Sequence, residues 1–228
     1  MCGRFTLEPT EEFYEWFQLD HRLESLRPRY NIAPGQMVPV VVADSTHHLV
    51  LMRWGLIPRW AKDAKIGYKM INARMETLTE KLAFRGLLRA QRCLVPASGF
   101  YEWKAEERAK TPYYIHPTGA RFFAFAGLYD VWTNPEGQEI ASFTIITKAA
   151  DGVVAQLHHR MPVILERELE DNWLDPTITD VKTILAILEQ SSGIPLATYP
   201  VSRMVNTASM DTHALIEPVV CASHRSRP

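Results

Sequence analysis

Cys2 has the most unusual chemistry open to any residue of this chain, because it directly follows the initiator methionine. Removal of Met1 would leave a thiol and an α-amine on adjacent carbons, with reference pKa values of about 8.5 and about 7.7–8.0. Both would be partly nucleophilic near neutrality. Such a pair captures aldehydes: the amine condenses to an imine, the thiol adds to the same carbon, and a five-membered thiazolidine closes. An internal cysteine has no amine to offer. A small residue at position two is also common by accident, so Cys2 matters only if proton-transfer and binding groups accompany it. Glu102 sits between Tyr101 and Trp103, and aromatic neighbours desolvate a carboxylate and raise its pKa toward a useful acid/base range. In an ordinary alternating strand the same residue would simply face outward. Asn72 and Arg74 lie two residues apart and share one side if the segment is extended. Asn can donate to and accept from a sugar or base, and Arg suits a phosphate. His158 and His159 precede an apolar run, Val163 to Leu165, where a histidine is more often structural than catalytic.

The segments that must position these residues read as strands and loops more than as helices. Thr10 can cap a short helix with Phe13, Trp16 and Phe17 on one apolar face. Pro34-Gly35 marks a turn, after which residues 38–43 and 48–54 pair as a hairpin across Asp44 to His47. Residues 55–70 hold Pro58, Trp60, Gly67 and several cations without sustained periodicity, which indicates a long loop of the functional kind. Residues 79–91 are expected to be a helix with Thr79 as N-cap and Leu82, Leu87 and Leu88 toward the core. Strands follow at 92–96, 99–104, 113–116, 122–132 and 142–147, then a short helix from Asp151, helices at 166–174 and 177–190 split by Asp175-Pro176, and a strand at 196–202. The strand-rich middle with separate helices implies an α+β fold in one domain over 1–220, and the polar tail 221–228 is expected to be disordered.

Composition narrows the function classes. With 46% hydrophobic residues, six Trp, eight Tyr and nine Phe in 228 residues, the chain can fill one substantial core. No apolar run is long enough to span a bilayer and the amino terminus lacks a signal-like apolar stretch, so no membrane partner and a cytoplasmic location are expected. Three widely spaced cysteines, Cys2, Cys93 and Cys221, suit neither a disulfide framework nor a zinc site, and no metal or other cofactor is expected. A net charge of −1 does not announce nucleic acid, but the distribution does. Arg4, Arg53, Arg59, Lys62, Lys65, Lys69, Arg74, Arg85, Arg89 and Arg92 are interleaved with Trp54, Trp60, Tyr68 and Phe84, as a phosphate-tracking surface with stacking platforms requires. The alternative is a set of ordinary solvated charges.

Five segments in order, Met1-Cys2-Gly3-Arg4-Phe5, Tyr30-Asn31-Ile32-Ala33-Pro34-Gly35, Ile71-Asn72-Ala73-Arg74-Met75-Glu76-Thr77, Gly99-Phe100-Tyr101-Glu102-Trp103-Lys104 and Leu157-His158-His159-Arg160-Met161-Pro162, extend to about residue 207 if Pro200-Val201-Ser202 and Val205-Asn206 are counted. Together they resemble the SOS-response-associated peptidase (SRAP) family, whose members shield abasic sites in single-stranded DNA by crosslinking to them. The resemblance implies a mixed, barrel-like sheet flanked by helices and an abasic-site processing protein that acts in the DNA-damage response. It implies a thiazolidine crosslink through Cys2, with lyase-like and autopeptidase activity as accompaniments. It singles out His158 over His159 for sugar-ring opening, Glu102 as general acid/base that orients the terminal amine, and Asn72 to position the lesion. Arg4, Arg74 and Arg160 are expected at phosphates, Asn72 near the DNA sugar, and Trp60 as a stacking surface. The partner would be single-stranded DNA containing abasic sites, bound by a monomer and near the nucleoid when engaged. A Cys2-dependent peptidase and a non-covalent binder of modified or single-stranded DNA are the other readings.

Overall fold

The computed structural model describes residues 2–24, 26–44, 46–107, 109–191 and 193–219. In chain order the strands are β1 (Phe5–Leu7), β2 (Arg29–Ile32), β3 (Met37–Ala43), β4 (His47–Trp54), β5 (Asn72–Arg74), β6 (Arg92–Ala97), β7 (Gly99–Ala105), β8 (Lys110–Pro117), β9 (Phe123–Thr133), β10 (Glu139–Ala149), β11 (Arg160–Pro162), β12 (Ile164–Leu165) and β13 (Leu196–Pro200). The helices are α1 (Glu11–Trp16), α2 (Leu82–Arg85), α3 (Arg167–Leu174) and α4 (Val181–Gln190). Strands β4, β3, β6 and β9 follow one another, and β10 pairs with both β9 and β4, so five strands close into a barrel. The β10–β4 pairing is parallel, which makes the barrel mixed. Closure removes sheet edges that would otherwise invite further pairing. Strands β5 and β11 extend along β10, and β12 adds to β9. A second, antiparallel sheet runs β13-β8-β7-β1-β2. The whole is a single α+β domain.

Phe5 joins the two sheets. It is fully buried on β1 and its ring packs edge-on against Trp54 at 5.1 Å and Phe125 at 5.8 Å, both from barrel strands. Aromatic burial of this kind contributes roughly 2–3 kcal/mol per side chain, so the amino-terminal strand is anchored within reach of Cys2. The hairpin β3–β4 keeps an uninterrupted register from Met37↔Arg53 to Ala43↔His47. The loop that follows is drawn in at its base: a Cβ on Gly55, which has φ +118, would meet the Gly67 carbonyl oxygen at 2.6 Å, and one on Gly67 would meet the Gly55 carbonyl oxygen at 2.6 Å. Only glycine fits at either point. This contact closes the loop, whose last part is a 3-10 turn over Ala64–Lys69, and delivers the chain to β5.

Residues 79–91 depart from the expected helix. Lys81, not Thr79, precedes the four-residue α2, and after Gly86 the chain tightens to a 3-10 turn over Leu87–Arg89. The phase changes with it. Leu82 is 62% exposed, and Ala83, Phe84, Leu87 and Leu88 take the core positions. The helix expected from Asp151 is a single 3-10 turn, Val154–Gln156. The tail 221–228 lies outside the described residues. No described helix is long and apolar enough to cross a membrane.

Candidate active site at the amino-terminal strand

Cys2 lies just before β1 and is fully buried. Asn72 Nδ2 donates to the Cys2 carbonyl at 2.8 Å, and the thiol lies 3.8 Å from the Arg4 carbonyl oxygen. That oxygen also accepts from Tyr101 N at 3.0 Å, which fastens the cysteine segment to β7 one residue before Glu102. Asn72 is itself held by two contacts: β5 runs parallel to β10 with Ile145 opposite Asn72, and Trp54 Nε1 donates to the Ile71 carbonyl at 3.0 Å. Asn72 Oδ1 is buried with no hydrogen-bond partner among the described residues. Such an orphan acceptor costs on the order of 1–3 kcal/mol, so it marks a place where a donor belongs.

Glu102 does not face outward. The middle of β7 is covered on both sides, and Glu102 is only 2% exposed. Burial pushes the Cys2 thiol well above its usual range and the Glu102 carboxylate pushes it further, so this thiol is protonated at neutrality. His158 is half-buried and its ring stacks on that of His159 at 4.3 Å. Burial lowers the His158 pKa below the ordinary imidazole value, Glu102 opposes the shift, and His159 adds to it. Glu102 thus lies within electrostatic reach of both Cys2 and His158. Glu102 and His158 open onto a cleft of about 580 Å³, whose other walls include Trp103, Lys110, Arg203 and Asn206.

Two of the expected phosphate ligands are occupied within the protein. Arg4 Nη1 donates to Asn31 Oδ1 at 2.8 Å and to the Val205 carbonyl at 2.6 Å, and Nη2 to the Asn206 carbonyl at 3.3 Å. Fully buried Asn31 in turn donates to the Thr207 and Met210 carbonyls. Arg4 therefore clamps the 205–210 segment onto the amino terminus. Arg160, 8% exposed, forks onto Glu76 at 2.5 and 3.0 Å and donates to the Thr147 carbonyl at 2.6 Å. This bond holds the Glu76 carboxyl below its usual range. Arg74 is exposed on β5. Trp60 is 50% exposed and lines a separate groove of about 460 Å³ with Lys62, Lys65 and Lys69. Asn31, Asn206 and Glu76 were legible only as members of the quoted segments. Asn206 is nonetheless central to the cleft wall, since its Oδ1 accepts from Trp103 Nε1 at 2.8 Å.

The model of the SOS response associated peptidase (SRAP) family matches residues 1–208. The chain belongs to that family. Among SRAP relatives, it is 44% identical over 222 residues to the abasic site processing protein YoqW of Bacillus subtilis (strain 168), covering 95% of this chain and 99% of that protein. It is 34% identical to the abasic site processing protein HMCES of Gallus gallus, covering 85% of this chain and 67% of that protein. Among solved structures, a phage-related protein from Bordetella bronchiseptica matches with a TM-score of 0.71 at 34% identity, over 89% of this chain and 95% of that one. A protein from Bacteroides thetaiotaomicron matches with a TM-score of 0.84 over 96% of this chain and all of that one. At 24% identity the second likeness shows the fold alone.

Proposed function

We propose that this chain captures abasic sites in single-stranded DNA and holds them as a covalent thiazolidine on Cys2, shielding the lesion. The observation that carries the reading is a nearly buried carboxylate, Glu102, that shares a cleft with His158 and lies within electrostatic reach of both that histidine and a second-position cysteine. The names of the relatives support the substrate class.

The steps follow from the groups present. After Met1 removal, the lesion sugar opens from hemiacetal to aldehyde, with His158 at the ring oxygen. The Cys2 amine adds to C1′ and the carbinolamine loses water to give an imine. The thiol then adds across that imine, its sulfur to C1′ and its proton to nitrogen. Glu102 moves the protons, and Asn72 Oδ1 accepts from the amine or the opened sugar. A new α-ammonium beside the thiol also favours its ionisation, which opposes the effect of burial. Holding amine, thiol and aldehyde together makes the condensation effectively intramolecular, a gain of up to roughly 7–11 kcal/mol. The DNA grip falls to Arg74 and to the Trp60 groove with its three lysines, by phosphate contact and stacking, so base preference is slight. An unpaired lesion enters more easily because no base pair must be broken. Arg4 and Arg160 serve the site by holding it together.

Incubation of the purified chain with abasic single-stranded DNA gives a heat-stable crosslink on a denaturing gel. Cys2→Ser gives only an imine that borohydride must trap, and retention of Met1 or an amino-terminal tag abolishes capture. A Cys2→Ser crosslink as durable as that of the wild type defeats the thiazolidine. Peptide release without DNA would favour a peptidase, and a purely reversible shift would favour a non-covalent binder.

A further inference from the structure

His158 makes a contact that decides which of its ring nitrogens carries the proton. The backbone N–H of Arg160 donates to His158 Nδ1 at 2.9 Å. The same nitrogen lies 3.1 Å from the Arg160 carbonyl oxygen, which would suit a protonated Nδ1. The two arrangements exclude each other, because the single in-plane site of Nδ1 holds either a lone pair or a hydrogen. An amide hydrogen is permanent and an imidazole hydrogen is movable, so the amide decides and Nδ1 is the acceptor. The ring proton therefore resides on Nε2, on the opposite edge.

The residue that donates is itself unusually well fixed. Arg160 stands opposite Ala149 in the β10–β11 pairing. Its side chain is forked onto Glu76 at 2.5 and 3.0 Å and anchored on the Thr147 carbonyl at 2.6 Å. Glu76 reaches it from 84 residues away in sequence.

We propose that His158 works as a hydrogen-bond donor through a fixed Nε2–H tautomer, and that the Glu76–Arg160 fork is the positioning element that keeps it so. This deepens the proposed reaction and rests on it for the role of the sugar. A neutral imidazole does not surrender its second proton. It stabilises negative charge growing on the ring oxygen as the C1′–O4′ bond breaks. The proton balance then runs through Glu102, which takes the hydrogen of the C1′ hydroxyl and returns it to O4′, ending as the carboxylate it began. Protonation of His158 would place a second hydrogen on Nδ1 against the Arg160 amide. The donor is thus built to act neutral.

The test is a long-range ¹H–¹⁵N correlation spectrum of histidine-labelled protein, with rates for Glu76→Gln on two substrates. The wild-type spectrum is expected to show His158 Nδ1 bare and Nε2 protonated at neutral pH. Glu76→Gln is expected to mix the tautomers and slow capture of a natural abasic site about tenfold, in the range of one lost hydrogen bond. Its rate on an open-chain aldehyde probe should be nearly unchanged. The wild-type ratio of natural-site to open-aldehyde rates should fall on acidification, a comparison that cancels the titration of the amine. A proton on Nδ1 in the wild type overturns the proposal even if Glu76→Gln cannot fold, and so does a Glu76→Gln effect equal on both substrates. The spectrum needs no DNA, so a protein that showed the expected tautomer but formed no crosslink would refute the capture reaction and not the tautomer.

Discussion

Glu102 on β7, at 2% exposure, and Glu170 on α3, at 0%, are both buried almost completely, and their surroundings differ in kind. Glu170 belongs to the helical side. Burial raises its carboxyl from the ordinary 4.5 to about 7, while Arg167, one turn away at 2.8 Å, works against the shift. The cavity beside it, about 280 Å³, is lined by Trp16, Phe122, Phe123, Leu165 and Ile194 together with Glu166, Arg167 and Glu168. Its lining holds neither a thiol nor a histidine. Glu102 lies within electrostatic reach of Cys2 and His158, at a cleft with two cations on its rim. A perturbed titration thus marks the helical side, whereas the proposed chemistry uses the other carboxylate. What distinguishes a working carboxylate is the reactive company that the fold brings to it.

The contrast is sharpest in Glu102→Gln, which keeps shape and hydrogen bonding but cannot exchange a proton. Capture of natural abasic sites and of an open aldehyde should both slow by on the order of 10²-fold or more. Single-turnover crosslinking rates check this, and an unimpaired variant would make Glu102 structural. Glu170→Gln should leave those rates unchanged and alter stability instead. The folded state holds the Glu170 proton more tightly than the unfolded chain, so stability is fully present below pH of about 4.5 and is lost as pH rises through about 7. The variant escapes that loss. Between pH 5 and 8 its stability relative to the wild type should improve by on the order of 2 kcal/mol, as read by denaturant melts. A flat difference would mean that Arg167 neutralises the buried charge. His158→Ala should slow capture of the natural site about tenfold and the open-aldehyde reaction little, as expected of a donor lost from ring opening. Equal losses on both substrates would remove the ring-opening role. Arg74→Ala should weaken binding to intact single strands of any sequence and lower the salt slope by about 0.7, one phosphate contact. A change confined to particular bases would mean that Arg74 reads sequence.

The barrel strands were legible because β-branched and aromatic runs broken by turn residues leave little choice, as in the hairpin from Met37 to Trp54. Cys2, Glu102, His158 and Asn72 were singled out as residues, and the structure sets Asn72 against the Cys2 carbonyl and Glu102 within electrostatic reach of Cys2 and His158. The burial of Glu102 was half legible, from its aromatic neighbours, although strand alternation alone would have turned it to solvent. The contacts of the arginines were not. A guanidinium serves a phosphate or a carbonyl equally well, and Arg4 meets the carbonyl of Val205, 201 residues away. The segment 79–91 carried enough helix formers to suggest one helix. Gly86 and the packing of Phe84 and Leu88 divided it, which turned Leu82 outward.

The proposed capture rests on one bond, which mass spectrometry of the trapped species locates. Chain lacking Met1 is reacted with abasic single-stranded DNA, heated, digested and sequenced by fragmentation. The expected adduct is on residue 2 alone, with the mass of peptide plus opened sugar less one water, and is stable without borohydride. An adduct on a lysine, one that vanishes on heating, or one formed equally well by Cys2→Ser would contradict it.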